Sequence, residues 1–370
     1  MRDREQILEE ALEAENAGNA TTARRLYQEC VNAHPKFAQA WLLYACFLHA
    51  QNEWSEAIKV AARIKGEPSA ERAAMSLTGC CWKELGETTK AVEAFRASIR
   101  LDPKIYDFVF LGVALSELGR RDEAIKVYLQ GLKLDPYYDE LHFNLAYSYE
   151  VLRRYEKAEK HYRLAIEADP NYGRALSQLG HILTRRALKT GDYCEVKDLL
   201  RRGVTAEPDF FWGRIYLAFV YWWTNEEDAA EAEFLAAIEL WPIDYAFRVY
   251  GEFLLDARND SVKAETYFKR ALKLEPESGE TLYLYFRLLH GLKKHKRAHA
   301  YLVRAAKVGH VRAKAMLQKH RNFEKRRGQR TCSKCGSPLK RLHGGCAVCG
   351  SDVKGRARSA LRRKPRSGDI

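Results

Sequence analysis

Four cysteines near the C-terminus have the spacing of a metal site. Cys332 and Cys335 form one C-x2-C pair, and Cys346 and Cys349 form a second pair after ten intervening residues. Two-residue spacing lets a tight turn direct both thiolates at one ion, and a glycine follows each pair. Four thiolates around one tetrahedral ion predict a closed, structural zinc site. A segment this short cannot build a hydrophobic core, so the metal would supply its folding free energy.

Two other interpretations of these cysteines remain open. Two bridging disulfides would fit the count, but the chain is expected to be intracellular, where thiols stay reduced. Iron is the alternative metal, because the double knuckle resembles rubredoxin as well as zinc ribbons. The other five cysteines, Cys30, Cys46, Cys80, Cys81 and Cys194, show no ligand spacing and are expected to be small apolar core residues.

The basic charge of the chain is concentrated beside this site. Residues 319–370 contain sixteen Lys and Arg against three acidic residues, which accounts for the whole net charge of +13. We expect a zinc ribbon over residues 330–352 and a disordered basic tail over 353–370. Such a tail binds nucleic acid or another anionic surface by charge, or serves only to keep the chain soluble. Its candidate contacts are Lys354, Arg356, Arg358, Arg362, Arg363, Lys364 and Arg366.

The chain before this segment is built from a repeated pair of amphipathic helices. In the clearest copy, residues 105–138, apolar side chains recur at helical spacing from Phe108 to Leu118, and again from Ala124 to Leu132. Gly112 and Ala124 are small, which predicts a close crossing of the two helices. Two short helices of this kind cannot bury their apolar faces alone, so the pair needs neighbouring copies.

Those copies are present along most of the chain. Prolines that end a helix recur every 33 to 38 residues, and an alanine recurs at the position of Ala124. The prolines are Pro35, Pro68, Pro103, Pro136, Pro170, Pro208, Pro242 and Pro276, and the alanines are Ala23, Ala57, Ala91, Ala158, Ala230, Ala264 and Ala298. This pattern resembles the tetratricopeptide repeat.

The resemblance implies an all-α fold, a right-handed superhelical solenoid of about nine helix-turn-helix repeats over residues 1–310. A capping helix and linker are expected over residues 311–329, before the four-cysteine zinc ribbon. The sixth repeat is four residues longer around Arg185–Tyr193. That insertion either extends its helices or forms a protruding loop.

The resemblance also implies which side chains line a ligand groove. In this family the first helix of each repeat faces the groove, and its second, fifth, ninth and twelfth positions contact the ligand. The residues selected in this way are Phe143, Tyr147, Arg174, His181, Trp212, Phe219, Trp222, Tyr283 and Arg287. Aromatic and arginine side chains dominate binding energy in protein interfaces. Of the adjacent Trp222 and Trp223, one is expected to point away from the core.

No catalytic motif stands out, so we expect an adaptor rather than an enzyme, without a small-molecule substrate. The predicted protein is cytoplasmic, lacks a membrane span, binds a partner peptide or helix in the groove, and uses its ribbon and tail to contact nucleic acid or the same partner. A rival hypothesis is a regulator of an enzyme or protease whose metal module docks on the repeats. That architecture resembles the membrane-anchored lipopolysaccharide-assembly regulators of Gram-negative bacteria, although this sequence shows no N-terminal transmembrane helix and adds a basic tail.

Overall fold

Helices account for all regular secondary structure in the part of the chain that the structure, a computed structural model, describes. These residues are 3–327, and they form nineteen α-helices. The helices are α1 (Arg4–Asn16), α2 (Ala20–Ala33), α3 (Ala38–Ala50), α4 (Trp54–Ala61), α5 (Pro68–Glu84), α6 (Thr88–Leu101), α7 (Ile105–Glu117), α8 (Arg121–Gly131), α9 (Asp139–Val151), α10 (Tyr155–Ala168), α11 (Gly173–Thr190), α12 (Cys194–Ala206), α13 (Phe211–Trp223), α14 (Glu227–Leu240), α15 (Asp244–Asp256), α16 (Ser261–Leu274), α17 (Gly279–Gly291), α18 (His295–Lys307) and α19 (Val311–Arg327).

The helices pair into hairpins within two compact units. Unit 1 ends at Pro170 and contains the five hairpins α1–α2 to α9–α10. Unit 2 begins at Asn171 and contains the four hairpins α11–α12 to α17–α18, followed by α19, which packs on α18. The nine predicted hairpins are confirmed. In each unit the two helices of a hairpin contact each other, and the second helix also contacts the first helix of the next hairpin in that unit.

The small residues of the repeat leave room for aromatic rings. A Cβ placed on Gly112 would lie 2.1 Å from Cε1 of Tyr128, which is buried on the partner helix. A Cβ placed on Gly251 would likewise lie 2.8 Å from Cε1 of Phe268. The predicted close crossing therefore occurs, and an aromatic ring of the second helix fills the space above each glycine.

The hairpin turns share a backbone feature that the sequence pattern did not reveal. Each of the nine turns between a first and a second helix contains one residue with positive φ, between 53° and 80°. Seven of these residues are glycine or asparagine, which adopt this conformation most readily. Arg153 and Lys293 occupy the remaining two turns, at φ values of 57° and 61°.

The longer sixth repeat is accommodated by helix extension. α11 has 18 residues, whereas α9 and α13 have 13 each. Gly191, at φ 80°, then ends α11 with a left-handed C-cap. The insertion therefore lengthens the first helix, and no loop protrudes between α11 and α12.

A buried carboxylate joins the third hairpin to α7. Asp107 is fully buried and accepts hydrogen bonds from Ser76 Oγ at 2.6 Å and Ser98 Oγ at 2.8 Å. Arg72 Nη1 lies 3.3 Å from the same carboxylate. Because every donor comes from α5 or α6, the network fixes how α7 sits on the preceding hairpin.

Candidate functional site

Unit 1 presents aromatic side chains on the first helices of two successive hairpins. Tyr106 and Phe110 on α7 are 39% and 38% exposed, and Tyr147 on α9 is 43% exposed. Phe143, also on α9, is half-buried. The two helices contact each other, and we call these four residues together the unit 1 aromatic patch. The patch includes the predicted residues Phe143 and Tyr147.

The α9 side of the patch is a single stripe in which two aromatic residues lie between two glutamates. Glu140, Phe143, Tyr147 and Glu150 follow at i, i+3, i+7 and i+10, which places them along one helix face. Behind the stripe, the ring of Tyr162 lies 5.8 Å from that of Phe143. The Tyr162 hydroxyl donates to Glu150 at 2.7 Å. Burial raises the pKa of Glu150 to about 7, although this hydrogen bond opposes the shift.

Unit 2 carries a second set of touching rings, the unit 2 aromatic row. His181 on α11 stacks on Tyr216 of α13 at 4.3 Å, and Tyr216 lies 6.1 Å from Trp212. Trp212 in turn lies 5.3 Å from Tyr245 of α15, over which Arg248 sits at 4.8 Å. All four rings are half-buried. Burial, with Arg185 nearby, lowers the pKa of His181 to about 4, so the imidazole is neutral at pH 7.

The predicted arginines of the groove are held in ion pairs. Arg174 Nε donates to Glu207 at 2.8 Å. Arg287 Nη2 donates to both oxygens of Asp256, at 2.8 and 2.9 Å, and its Nη1 lies 3.4 Å from Glu252. These guanidinium groups therefore bind carboxylates of the same unit.

Tyr283, the remaining predicted residue of α17, is half-buried and stacks on His310 at 4.5 Å. The imidazole of His310 is in turn paired with Glu280, with 2.7 Å between Nε2 and the carboxylate. Tyr283 thus has one face against His310 and keeps only part of its ring exposed.

Phe219 and Trp222, predicted to line the groove, lie in the core of unit 2. They are 3% and 8% exposed. Phe219 stacks on Trp222 at 6.0 Å, and the edges of both rings meet Phe234 of α14. Trp222 also contacts Phe253 of α15 at 5.5 Å. We therefore leave both residues out of the candidate surface.

The expectation for the adjacent tryptophans was also wrong, because Trp223 is 3% exposed as well. Its ring lies 5.6 Å from Phe219 and 6.4 Å from Tyr193, which precedes α12. Ten residues of α13 are buried, on all sides of the helix. Both tryptophans can be covered because elements of different hairpins cover opposite sides of α13.

Several residues of the two surfaces were missed by the sequence analysis. Tyr106 and Tyr245 occupy the second position of their repeats, so applying the position rule to every repeat would have found them. Phe110 and Tyr216 occupy the sixth position, next to the expected fifth. No signal in a single repeat indicates that a side chain at this sixth position keeps part of its surface accessible.

Other predicted sites lie outside the described residues. The four cysteines of the metal site and the seven basic residues of the tail all fall within residues 328–370. Among residues 3–319, no three His, Cys, Asp or Glu side chains are grouped so that they could hold a metal ion. None of the described helices combines the length and the apolar character that crossing a membrane requires.

Comparison with known proteins identifies the repeat. Residues 8–71 and 111–173 match one tetratricopeptide-repeat family model, and residues 79–105 match another. A tetratricopeptide repeat protein from Parabacteroides merdae is 16% identical, with a TM-score of 0.51 over 67% of this chain and 97% of that chain. PilF of Pseudomonas aeruginosa is 18% identical, with a TM-score of 0.50 over 60% of this chain and 97% of that chain. A search of functionally curated proteins gave no match. At these identities the likeness shows the fold.

Proposed function

We propose that this chain, which contains tetratricopeptide repeats, is a protein-binding adaptor that holds a segment of a partner on its first helices. The observation that carries this proposal is the unit 1 aromatic patch, where Tyr106, Phe110 and Tyr147 each keep about two fifths of their surface exposed. Grouped aromatic surface of this kind is typical of protein interfaces, where such side chains supply large contact area.

The backbone that carries the patch is well suited to this role. α7 and α9 are fixed by buried contacts on their other faces, including the Asp107 network and the ring of Tyr128. A surface held in one conformation loses little entropy when a ligand binds. The half-buried rings of the unit 2 aromatic row provide a second contact region of the same kind.

Affinity capture from the native host tests this role. The full chain would be compared with a Phe110→Ala/Tyr147→Ala variant and with the control Leu129→Ala. Leu129 is 41% exposed but lies on the second helix α8. We expect one partner to be captured by the wild type and the control and lost from the double variant. Equal capture by all three proteins would contradict the role of the patch. A captured enzyme or protease whose activity changes on binding would favour the rival regulator hypothesis.

We further propose that Cys332, Cys335, Cys346 and Cys349 bind one structural zinc ion. The support is the spacing of the two cysteine pairs and the glycine after each pair. In this proposal the metal stabilises a small ribbon and takes no part in a reaction. Iron is the less favoured occupant of the same four thiolates.

The basic tail is proposed to contact nucleic acid. Its support is charge alone, since seven basic residues lie between Lys354 and Arg366 with no acidic residue among them. Between Thr331 and Ile370 there is no Tyr, Phe or Trp and only His343 as an aromatic ring, so this segment offers little stacking on bases. We therefore expect binding without sequence preference.

A further inference from the structure

Arg248, at one end of the unit 2 aromatic row, differs from the two arginines predicted to line the groove. Arg174 and Arg287 are each held by carboxylates of the same unit. The guanidinium of Arg248 instead lies over the ring of Tyr245, 4.8 Å from its centre, and within the described part of the chain it forms no ion pair or hydrogen bond. An arginine stacked on a ring uses the face of its planar group, and its five N–H donors lie in that plane. These donors are therefore open to solvent or to a ligand.

Two carboxyl groups interact with Arg248 over a longer distance, and both have nearer partners. Glu252 lies 3.4 Å from Arg287, and burial raises its pKa to about 7, so a large part of this group is protonated at neutral pH. Glu280 is paired with the imidazole of His310, at 2.7 Å. The positive charge of Arg248 is therefore only partly balanced within unit 2.

The aromatic row extends from this arginine as a continuous series of rings. Tyr245 lies 5.3 Å from Trp212, Trp212 lies 6.1 Å from Tyr216, and Tyr216 stacks on His181 at 4.3 Å. His181 adds no charge at neutral pH, because burial lowers its pKa to about 4. Each ring keeps part of its surface accessible. One cation at the end of an uncharged aromatic row favours a ligand that combines a carboxylate with an apolar side chain.

We propose that the unit 2 aromatic row binds an acidic segment of a partner protein, with an Asp or Glu carboxylate on the guanidinium of Arg248 and a neighbouring apolar side chain on Trp212. This rests on the proposed adaptor function and adds the ligand class of its second contact region. A carboxylate can accept two parallel N–H bonds from a guanidinium, which fixes its position as well as balancing its charge. A nucleic acid fits less well, because its run of phosphates would pass the carboxyl groups of Glu252 and Glu280.

A random dodecapeptide library displayed on phage and selected on the immobilised full chain tests the ligand class. We expect a group of peptides that bind Phe110→Ala/Tyr147→Ala but not Trp212→Ala, and that share an Asp or Glu beside an apolar side chain. Such peptides without acidic residues would overturn the ligand class and leave the adaptor function intact. Peptides lost only in the unit 1 variant would overturn the second contact and also leave that function intact. Selection of no peptide above background would contradict the adaptor function itself.

Charge removal on both molecules then locates the contact. Arg248→Gln should weaken binding of the acidic peptide about tenfold or more, with an unchanged melting temperature, because it removes a charged donor that no described residue uses. Replacing the Asp or Glu of the peptide by its amide should weaken binding to the wild type equally, and binding to Arg248→Gln no further. Independent losses from the two changes would place the carboxylate elsewhere and would overturn the assigned contact.

The matched control is Arg270→Gln on the second helix α16. The guanidinium of Arg270 also lies over a ring, 5.3 Å from the centre of Phe247, and it too forms no ion pair within the described part of the chain. We expect this variant to bind the acidic peptide like the wild type. Equal losses in Arg248→Gln and Arg270→Gln would show attraction to overall charge and would overturn the assigned position.

Two further probes test other occupants of the row. Single-stranded RNA should bind Arg248→Gln and Arg270→Gln equally. A loss confined to Arg248→Gln would assign the row to nucleic acid and overturn the assignment to a protein segment. A synthetic peptide of residues 354–370 should bind more weakly than the selected acidic peptides. Equal affinity, with the same loss in Arg248→Gln, would make the terminus of this chain the occupant and would overturn the assignment to a partner.

Discussion

Among individual residues, Glu150 has a half-buried carboxyl group whose ionisation the fold opposes. Burial raises its pKa from 4.5 to about 7, so the folded protein retains a proton that the unfolded chain releases near pH 4.5. This group therefore makes the folded state less stable as the pH rises from 4.5 through 7. Glu150→Gln, which mimics the protonated form, should raise the free energy of unfolding at pH 8 by up to about 3 kcal/mol relative to the wild type, and by almost nothing at pH 4.5.

Urea denaturation of both proteins at the two pH values measures this difference. Comparing the variant with the wild type at each pH cancels the other titrating groups, such as His161 and His181, whose pKa values burial lowers to about 4. A variant that is less stable than the wild type at pH 8 would mean that the hydrogen bond from Tyr162 outweighs the cost of burying the charge.

Residue burial is also where prediction from the sequence was least successful. The family pattern placed Phe219 and Trp222 of α13 in the ligand groove, whereas both are buried. Whether a groove position is exposed depends on the size of the side chains on α14 and α15, here Phe234 and Phe253. The contact with Phe253 is between hairpins and cannot be read from one repeat. Tyr147 occupies the same ninth position of its repeat as Phe219 but remains exposed.

At the scale of the helical hairpin, the spacing between two helices depends on single glycines. Gly112→Ala would bring a Cβ to within 2.1 Å of the Tyr128 ring, which is fully buried. We expect the free energy of unfolding to fall by about 1–3 kcal/mol, as in other overpacked cores. The matched control is Gly291→Ala in α17, where nothing lies within 4 Å of the added methyl group. It should be neutral or stabilising by up to about 1 kcal/mol.

Thermal denaturation followed by circular dichroism compares the two variants. A neutral Gly112→Ala would show that the ring of Tyr128 can shift freely, contrary to the packing of this hairpin.

The existence and order of the hairpins were predictable because prolines and small residues recur at a fixed period. The turns were not, since glycine, asparagine, arginine and lysine all occupy the left-handed position, and only the backbone reveals what they share.

For the molecule as a whole, we expect the proposed metal site to be independent of the helical hairpins. Elemental analysis of the purified chain should find about one zinc per molecule, because four thiolates form a closed tetrahedral site. Cys332→Ser/Cys349→Ser should abolish the metal and leave the helical signal nearly unchanged, since stacked hairpins depend mainly on their neighbours. A red protein would indicate iron. Two disulfides found by mass spectrometry of freshly lysed cells would contradict the metal site.

The concentration of basic residues in 319–370 predicts how nucleic acid binding depends on salt. Each phosphate contact on a single strand contributes about −0.7 to the slope of log affinity against log salt, so about five contacts would give roughly −3.5. Deleting residues 354–370 should remove most of this slope, whereas Phe110→Ala/Tyr147→Ala should leave it unchanged. Filter binding with single-stranded RNA at several salt concentrations measures the slope for each of the two variants. The absence of affinity at 50 mM salt would discard nucleic acid as a partner of the tail.

The most direct test of the adaptor function is calorimetric titration of the captured partner segment into three full-length proteins. These are Tyr147→Ala, the second-helix control Leu129→Ala and the wild type. The two substituted side chains are 43% and 41% exposed, so both truncations remove similarly accessible surface. We predict that Tyr147→Ala loses about 2 kcal/mol of binding free energy or more, with an unchanged melting temperature, and that Leu129→Ala binds like the wild type. Full affinity in Tyr147→Ala, or an equal loss in Leu129→Ala, would contradict binding on the first helices.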